Sequence, residues 1–179
     1  MAMPGWLIIL LGTGVFLWLS RKPLRHPGSH GFWRFFAWEA MLCLAVVNRE
    51  QMGGQSMSGL LMLGSPVPLM LGIFEFARHR HSNGRERIDE ALYGWEKTAT
   101  LIKSGVYRWI RHPMYASLLM LNWGFFFKAA AVTPFFIALL ATGCLVLTAL
   151  ADERECLAAF GDDYREYMKI SYRFIPLLF

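Results

Sequence analysis

Five apolar runs, separated by polar connections, limit what this chain can fold into: roughly Pro4–Ser20, Phe32–Asn48, Gly59–Phe76, Met114–Phe127 and Ala129–Leu150. Crossing ~30 Å of hydrocarbon takes about 20 apolar residues in a helix. There, only helices and closed barrels satisfy every backbone polar group. Most of the runs are near that length, while Met114–Phe127 is short and needs flanking apolar turns. Composition agrees. The 179 residues are 55% hydrophobic, 15% aromatic and only 17% charged, with a mean hydropathy of +0.35, which is extreme for a soluble domain. The expected fold is all-α, a polytopic membrane bundle of about five transmembrane helices forming one domain over 1–179. Residues 1–78 supply the N-terminal spans, and 98–176 carry the chemistry-bearing motifs. Pro4–Ser20 lacks a small-residue cleavage site and is followed by Arg21-Lys22-Pro23-Leu24-Arg25. That charge order is the reverse of a signal peptide's, so the run reads as a retained anchor.

The basic residues orient the bundle. Arg21, Lys22 and Arg25 lie between the first two runs, and Arg78, Arg80, Arg85, Arg87, Lys97, Lys103, Arg108 and Arg111 between the third and fourth. The opposite loops hold only Arg49, offset by Glu50, and Lys128. The positive-inside rule then puts the N-terminus outside, and the long basic segment and the C-terminus in the cytoplasm. The net charge of +5 is thus a topology signal, not a nucleic-acid footprint. Cys43, Cys144 and Cys156 form no spaced pair, and His79-Arg80-His81 has no carboxylate or cysteine at ligand spacing, so no metal site is expected. Gly12-Thr13-Gly14 lies inside the first run and reads as helix packing. Ser82-Asn83-Gly84 is the clearest exposed turn.

The densest chemistry lies in Ser104-Gly-Val-Tyr-Arg-Trp-Ile-Arg-His-Pro-Met-Tyr115. Pro113 suits a first helical turn, where its missing N–H costs nothing. The free N–H groups of that turn make an anion site beside Arg111, His112 and Tyr115. The tight turn at Lys128 makes runs four and five an antiparallel hairpin, which brings His112 to the same membrane face as Asp152-Glu153. Cations on one side and acids on the other suit a zwitterionic ligand. The tail from Asp152 reads as an amphipathic helix, with Glu153, Leu157, Phe160, Tyr164 and Tyr167 at spacings of four and three and a bend at Gly161. Tyr167 and Tyr172 are open to two readings, interfacial belt or ligand contact.

Gly105-x-Tyr107-x-x-x-Arg111-His112-Pro113-x-Tyr115, an acidic pair, then Phe160-Gly161-x-x-Tyr164-x-x-Tyr167 and Arg173-Phe-Ile-Pro176 resemble the isoprenylcysteine carboxyl methyltransferase and phospholipid methyltransferase superfamily. The resemblance covers about Thr98 to Pro176. It implies S-adenosylmethionine, released as S-adenosylhomocysteine, at the cytoplasmic end of the bundle, in a pocket formed by the loop before the fourth span and the C-terminal amphipathic helix. The acceptor is lipophilic and enters from the bilayer. Residue by residue, it implies cofactor contacts at Ala99, Thr100, Leu101, Ile102, Tyr107, His112, Pro113, Met114, Tyr115, Asp152 and Glu153. The chain departs from the prenylcysteine enzymes at Leu147-Thr148-Ala149-Leu150, where they carry an arginine facing the substrate carboxylate. It departs from the phospholipid branch at His112, where that branch often has Asn.

Methyl transfer from a sulfonium is an in-line displacement, so the protein mainly aligns the reactants and excludes water. The catalytic candidates are His112, Arg111 and Glu39. His112 is a base for an amine acceptor, or a cap or cofactor donor. Glu39 lies within an apolar run, where an ionisable group is costly and a functional candidate by default. It either holds a cationic amine or pairs with Arg34 or a neighbouring helix's arginine, while Glu75 pairs locally with Arg78 and His79. The readings are therefore a carboxyl methyltransferase-like enzyme, a phospholipid N-methyltransferase, or a non-enzymatic carrier or assembly subunit. A carrier is expected to show repeats or broken mid-membrane helices.

Overall fold

A computed structural model describes residues 3–50, 56–79 and 100–176, and the regular elements among them are helical. In chain order these are α1 (Gly5–Ser20), α2 (His30–Val47), α3 (Ser56–Gly64), α4 (Pro66–His79), α5 (Pro113–Lys128), α6 (Val132–Phe160) and α7 (Asp162–Ile170). Short 3-10 turns at Pro23–Arg25 and Gly105–Arg108 precede α2 and α5.

The boundaries have local causes. Ser29 caps α2, its Oγ accepting the Phe32 N–H at 3.2 Å. Proline opens both α4 and α5. Sequence reading made the third run one span, and Ser56–His79 is one, but its helix is interrupted at Ser65, since Pro66 disfavours helical geometry in the residue before it. The Ser65 hydroxyl donates to the Met62 carbonyl at 3.0 Å and takes up part of the lost ladder. The fifth run also differs. No breaker follows Leu150, so α6 continues for 29 residues to Phe160 and carries Asp152 and Glu153 inside it. Gly161, with φ +57°, is where the chain leaves α6 and starts α7. A side chain there would be strained.

This is a membrane protein. Ser56–His79 (24 residues) and α6 are each long and apolar enough to cross a bilayer, and α1 is apolar but shorter. Large apolar side chains face outward: Leu63 is 82% exposed, Leu60 69% and Phe74 64%. Water would penalise that arrangement, whereas lipid does not. The interior depends on close packing instead. α2 lies along α6, with Ala37, Ala40 and Met41 set against Ala141, Cys144 and Leu145. Small residues let the two backbones approach. Within α1, Gly12 is packed against Leu42 of α2. Asn122 of α5 ties to α6 through the Ala138 carbonyl at 2.9 Å and Thr142 Oγ1 at 3.2 Å.

One end of the bundle is closed by bonds to backbone carbonyls. Asn48 Nδ2 donates to Phe125 O at 2.8 Å, Ser58 Oγ to Gly124 O at 2.9 Å and Lys128 Nζ to Arg49 O at 3.2 Å. The other end gathers the start of α2, the end of α4, the approach to α5 and the last turns of α6. The site lies there.

Candidate cofactor and substrate site

A cavity of about 610 Å³ occupies this second end. Its lining includes Ile73 and Phe76 of α4, Thr100–Ile102 and Tyr107 of the approach segment, Met114 and Tyr115 of α5, Asp152 and Cys156 of α6, and Tyr164 and Tyr167 of α7. His30, Arg34 and Trp38 complete it from α2. The lining is mostly apolar, with a few charged side chains among it, as ligand sites commonly are.

The segment before α5 is held from both sides. At Gly105, with φ +55°, an added Cβ would lie 2.4 Å from the Glu75 carboxylate, so only glycine fits. Ser104 Oγ donates to Glu75 Oε2 at 2.9 Å, and His79 Nδ1 lies 3.6 Å from the same oxygen. On the other side the chain after α7 pairs back: Arg111 N donates to Tyr172 O at 2.7 Å, and His112 N to Arg173 O at 3.1 Å. The Tyr167 hydroxyl donates to the Tyr107 carbonyl. Two elements distant in sequence thus fix where His112 stands.

Glu153 is the anchor. Its Oε1 accepts from Arg111 Nε at 2.9 Å and Arg173 Nε at 3.1 Å, and its Oε2 from Arg173 Nη2 at 2.8 Å. Arg111 also donates to the carbonyls of Met168 and Ser171. A buried carboxylate with two guanidiniums is charge-compensated. Glu153 stands behind the cavity wall, while Asp152, one residue earlier, reaches the lining.

His112 links the two acids. Its Nδ1 lies 3.5 Å from Asp152 Oδ2 and its Nε2 3.4 Å from Glu153 Oε1. Although buried, Nε2 makes no hydrogen bond. Burial works against a charged ring here, but the two carboxylates outweigh it and raise the His112 pKa above the ordinary histidine value. The ring stacks on Tyr115 at 5.3 Å. Burial, reinforced by Asp152, pushes the Tyr107 phenol up, so it stays a neutral donor.

The structure therefore brings together Thr100, Leu101, Ile102, Tyr107, Arg111, His112, Pro113, Met114, Tyr115 and Asp152 around one cavity. Ala99 and Ser82-Asn83-Gly84 lie outside the described residues. Glu39 is placed elsewhere: it faces α1, its Oε2 accepting the Thr13 hydroxyl at 2.8 Å. Tyr164 and Tyr167 are buried, whereas Tyr172 is 37% exposed. Thr148, at the position of the missing arginine, is fully buried and donates to the Cys144 carbonyl at 2.7 Å.

Sequence reading did not bring His30, Arg34 and Trp38 to the site, although their spacing of four puts them on one face of α2. His30 is held by α6. Its backbone N donates to Glu155 Oε1 at 2.8 Å, and its Nδ1 lies 2.6 Å from Glu155 Oε2. Donor atoms of His30, Asp152 and Glu155 fall within 4.8 Å of one another. Two ligands of one ion at ~2.1 Å stand roughly 3 Å or more apart, so the His30–Glu155 contact is a proton-bridged pair.

Comparison with known proteins gives three results. The profile of the ergosterol biosynthesis ERG4/ERG24 family matches residues 86–179, more than half of the chain. A Delta(14)-sterol reductase of Mus musculus is 29% identical over 134 residues, covering 65% of this chain and 32% of the relative. A methanethiol S-methyltransferase of Mycobacterium tuberculosis (strain ATCC 25618 / H37Rv) is 34% identical over 71 residues, covering 40% of this chain and 28% of the relative. The chain spans about a third of the length of these curated relatives.

Proposed function

This chain belongs to the ergosterol biosynthesis ERG4/ERG24 family, and we propose that it is a membrane-embedded methyltransferase using S-adenosylmethionine on a lipophilic acceptor. One observation carries the reading. At the polar end of an otherwise apolar cavity, the His112 ring stands between Asp152 and Glu153, with a buried Nε2 that makes no hydrogen bond. A zwitterionic ligand fits that end. Asp152, held by His112, receives its ammonium, the first N–H groups of α5 receive its carboxylate, and Tyr107, Tyr115 and Tyr164 give faces for an aromatic base. Bound there, the cofactor supplies an electrophilic methyl group. Glu153, held by both arginines, positions the wall and takes no direct part.

In this proposal the whole chain, 1–179, is one domain of about five spans, with residues 1–78 as N-terminal spans and 98–176 as the cofactor-binding half. The N-terminus lies outside, and the cavity and C-terminus face the cytoplasm. The acceptor arrives through the bilayer, and no nucleic acid takes part. Glu39 is absent from the lining, so it gives no support to an amine acceptor such as a phospholipid headgroup.

A second reading, reduction of a double bond on a sterol-like molecule, is favoured by the longer match to a sterol reductase. It requires a hydride donor. Thermal unfolding of the protein in detergent separates the two. S-adenosylmethionine and S-adenosylhomocysteine are expected to raise Tm, because a ligand that binds only the folded state stabilises it. No shift with either, together with a shift on adding a reduced nicotinamide dinucleotide, overturns the methyltransferase reading in favour of the reductase.

A further inference from the structure

Away from the cavity, the outer face of α6 carries an apolar groove that leads to an unpaired cation. The groove, of about 480 Å³, is walled by Trp33 of α2 and by Phe136 and Leu147 of α6, with Gly143 as its floor. A Cβ added at Gly143 would meet nothing within 4 Å, so the space above it is open. Phe136, Gly143, Leu147 and Arg154 follow one another at spacings of seven, four and seven. At 3.6 residues per turn they share one line of the helix, within roughly 40° of each other. Leu147 and Leu150, 39% and 37% exposed, carry the apolar face up to Arg154. Arg154 is exposed, and among the described residues it enters no hydrogen bond or ion pair. Its neighbours three and four residues away are Leu150, Ala151, Leu157 and Ala158, so no acid on the same face of α6 answers it. The acids beside it in sequence are engaged elsewhere, Glu153 by two arginines and Glu155 by His30. The exposed cations of α7 differ, since Arg165 pairs with Asp162 and Lys169 with Glu166.

We propose that this groove holds one anionic phospholipid of the leaflet at the cavity end, with an acyl chain between Trp33 and Gly143 and its phosphate at Arg154. Length fits. Eleven residues separate Arg154 from Gly143, a rise of roughly 16 Å along the helix. One leaflet's share of a ~30 Å hydrocarbon core is about 15 Å. Charge fits too. A guanidinium grips phosphate oxygens in pairs, and a headgroup without an ammonium leaves that attraction uncompensated. A chain seated there touches α2 and α6 together, the two helices that bring His30 and Asp152 to the cavity. The lipid thus braces the cavity wall from outside, whatever reaction the cavity supports.

Native mass spectrometry of the full chain reads bound lipid and oligomeric state together. The protein is released from detergent micelles supplied with phosphatidylglycerol or with phosphatidylcholine of the same chains. Wild type is expected to retain one phosphatidylglycerol and to prefer it about five-fold over phosphatidylcholine. Arg154→Gln is expected to abolish the preference and Arg154→Lys to keep most of it. Lys103→Gln removes an exposed cation on the α4 side and is expected to leave the preference unchanged. Gly143→Leu fills the groove without meeting a neighbour, so the lipid-free Tm is expected to hold while retention of both lipids is lost. Added phosphatidylglycerol is expected to raise Tm in wild type and not in Gly143→Leu. Equal retention of the two lipids by wild type, or a preference that survives Arg154→Gln, overturns the anionic partner. Retention unaffected by Gly143→Leu overturns the groove as its seat. A lipid-free dimer that Gly143→Leu dissociates gives the groove to a second copy of this chain and overturns the proposal.

Discussion

The two ends of the bundle solve the same problem by different means. At the end where Asn48, Ser58 and Lys128 sit, each polar side chain bonds a backbone carbonyl near the end of α5 or just beyond α2. Each of those bonds joins just two segments and involves one donor. At the cavity end, ionised side chains neutralise one another across three or more elements, as Arg111, Arg173, His112 and Glu153 do. The first end is a seam. The second keeps charges out of water around a space of about 610 Å³, an arrangement that folding alone does not require.

That contrast breaks most visibly at Glu153. Glu153→Gln removes the carboxylate shared by two guanidiniums, an expected loss of about 3–5 kcal/mol. Thermal unfolding in detergent should show a large fall in Tm or no folded protein, and an unchanged Tm would mean the charges are not coupled. Replacing His112 by Ala acts on the ligand more than on the fold. The stabilisation by S-adenosylhomocysteine should shrink by about 1.4 kcal/mol, a ten-fold weaker affinity, read as the difference between liganded and free Tm.

His112 also gives this end a pH dependence the seam lacks. Its folded-state pKa is raised above the ordinary 6.5, so its contribution to stability is fully present below that value. It is lost as pH climbs through the raised folded value. Unliganded protein should therefore lose Tm as pH rises above 6.5, and His112→Gln should flatten the curve. A wild-type curve that rises over this range would contradict the assignment. The smallest effect is expected at the seam. Ser58→Ala forfeits one buried hydrogen bond, about 1 kcal/mol, with no change in ligand affinity by calorimetry. A loss of affinity there would show that the two ends communicate.

Apolar run length identified a helical membrane protein, because lipid leaves the backbone few alternatives. The start of α5 was legible from Pro113, and the place where α6 gives way to α7 from Gly161, because both residues act through their own dihedral angles. Run length alone did not show two features of these helices. The third run is interrupted at Ser65–Pro66, where hydropathy does not change, and α6 runs on past Leu150, where hydropathy falls at Asp152-Glu153-Arg154-Glu155 but the helix does not end. Much of the cavity lining was legible too, since Tyr107, His112, Tyr115 and Asp152 stand at positions that the family resemblance marks. What the tertiary structure decided was partnership. Nothing in the order of residues tells that Glu153 turns to Arg111 and Arg173 while Asp152 faces the cavity, or that Glu39 bonds Thr13. Nor does it tell that α2 brings His30 and Arg34 to the cavity lined by Tyr107, His112 and Asp152, far along the chain. Those pairings depend on the rotation of each helix about its axis. That rotation is set by packing of small residues such as Ala37, Ala40 and Ala141 between helices, a long-range choice that no local period encodes.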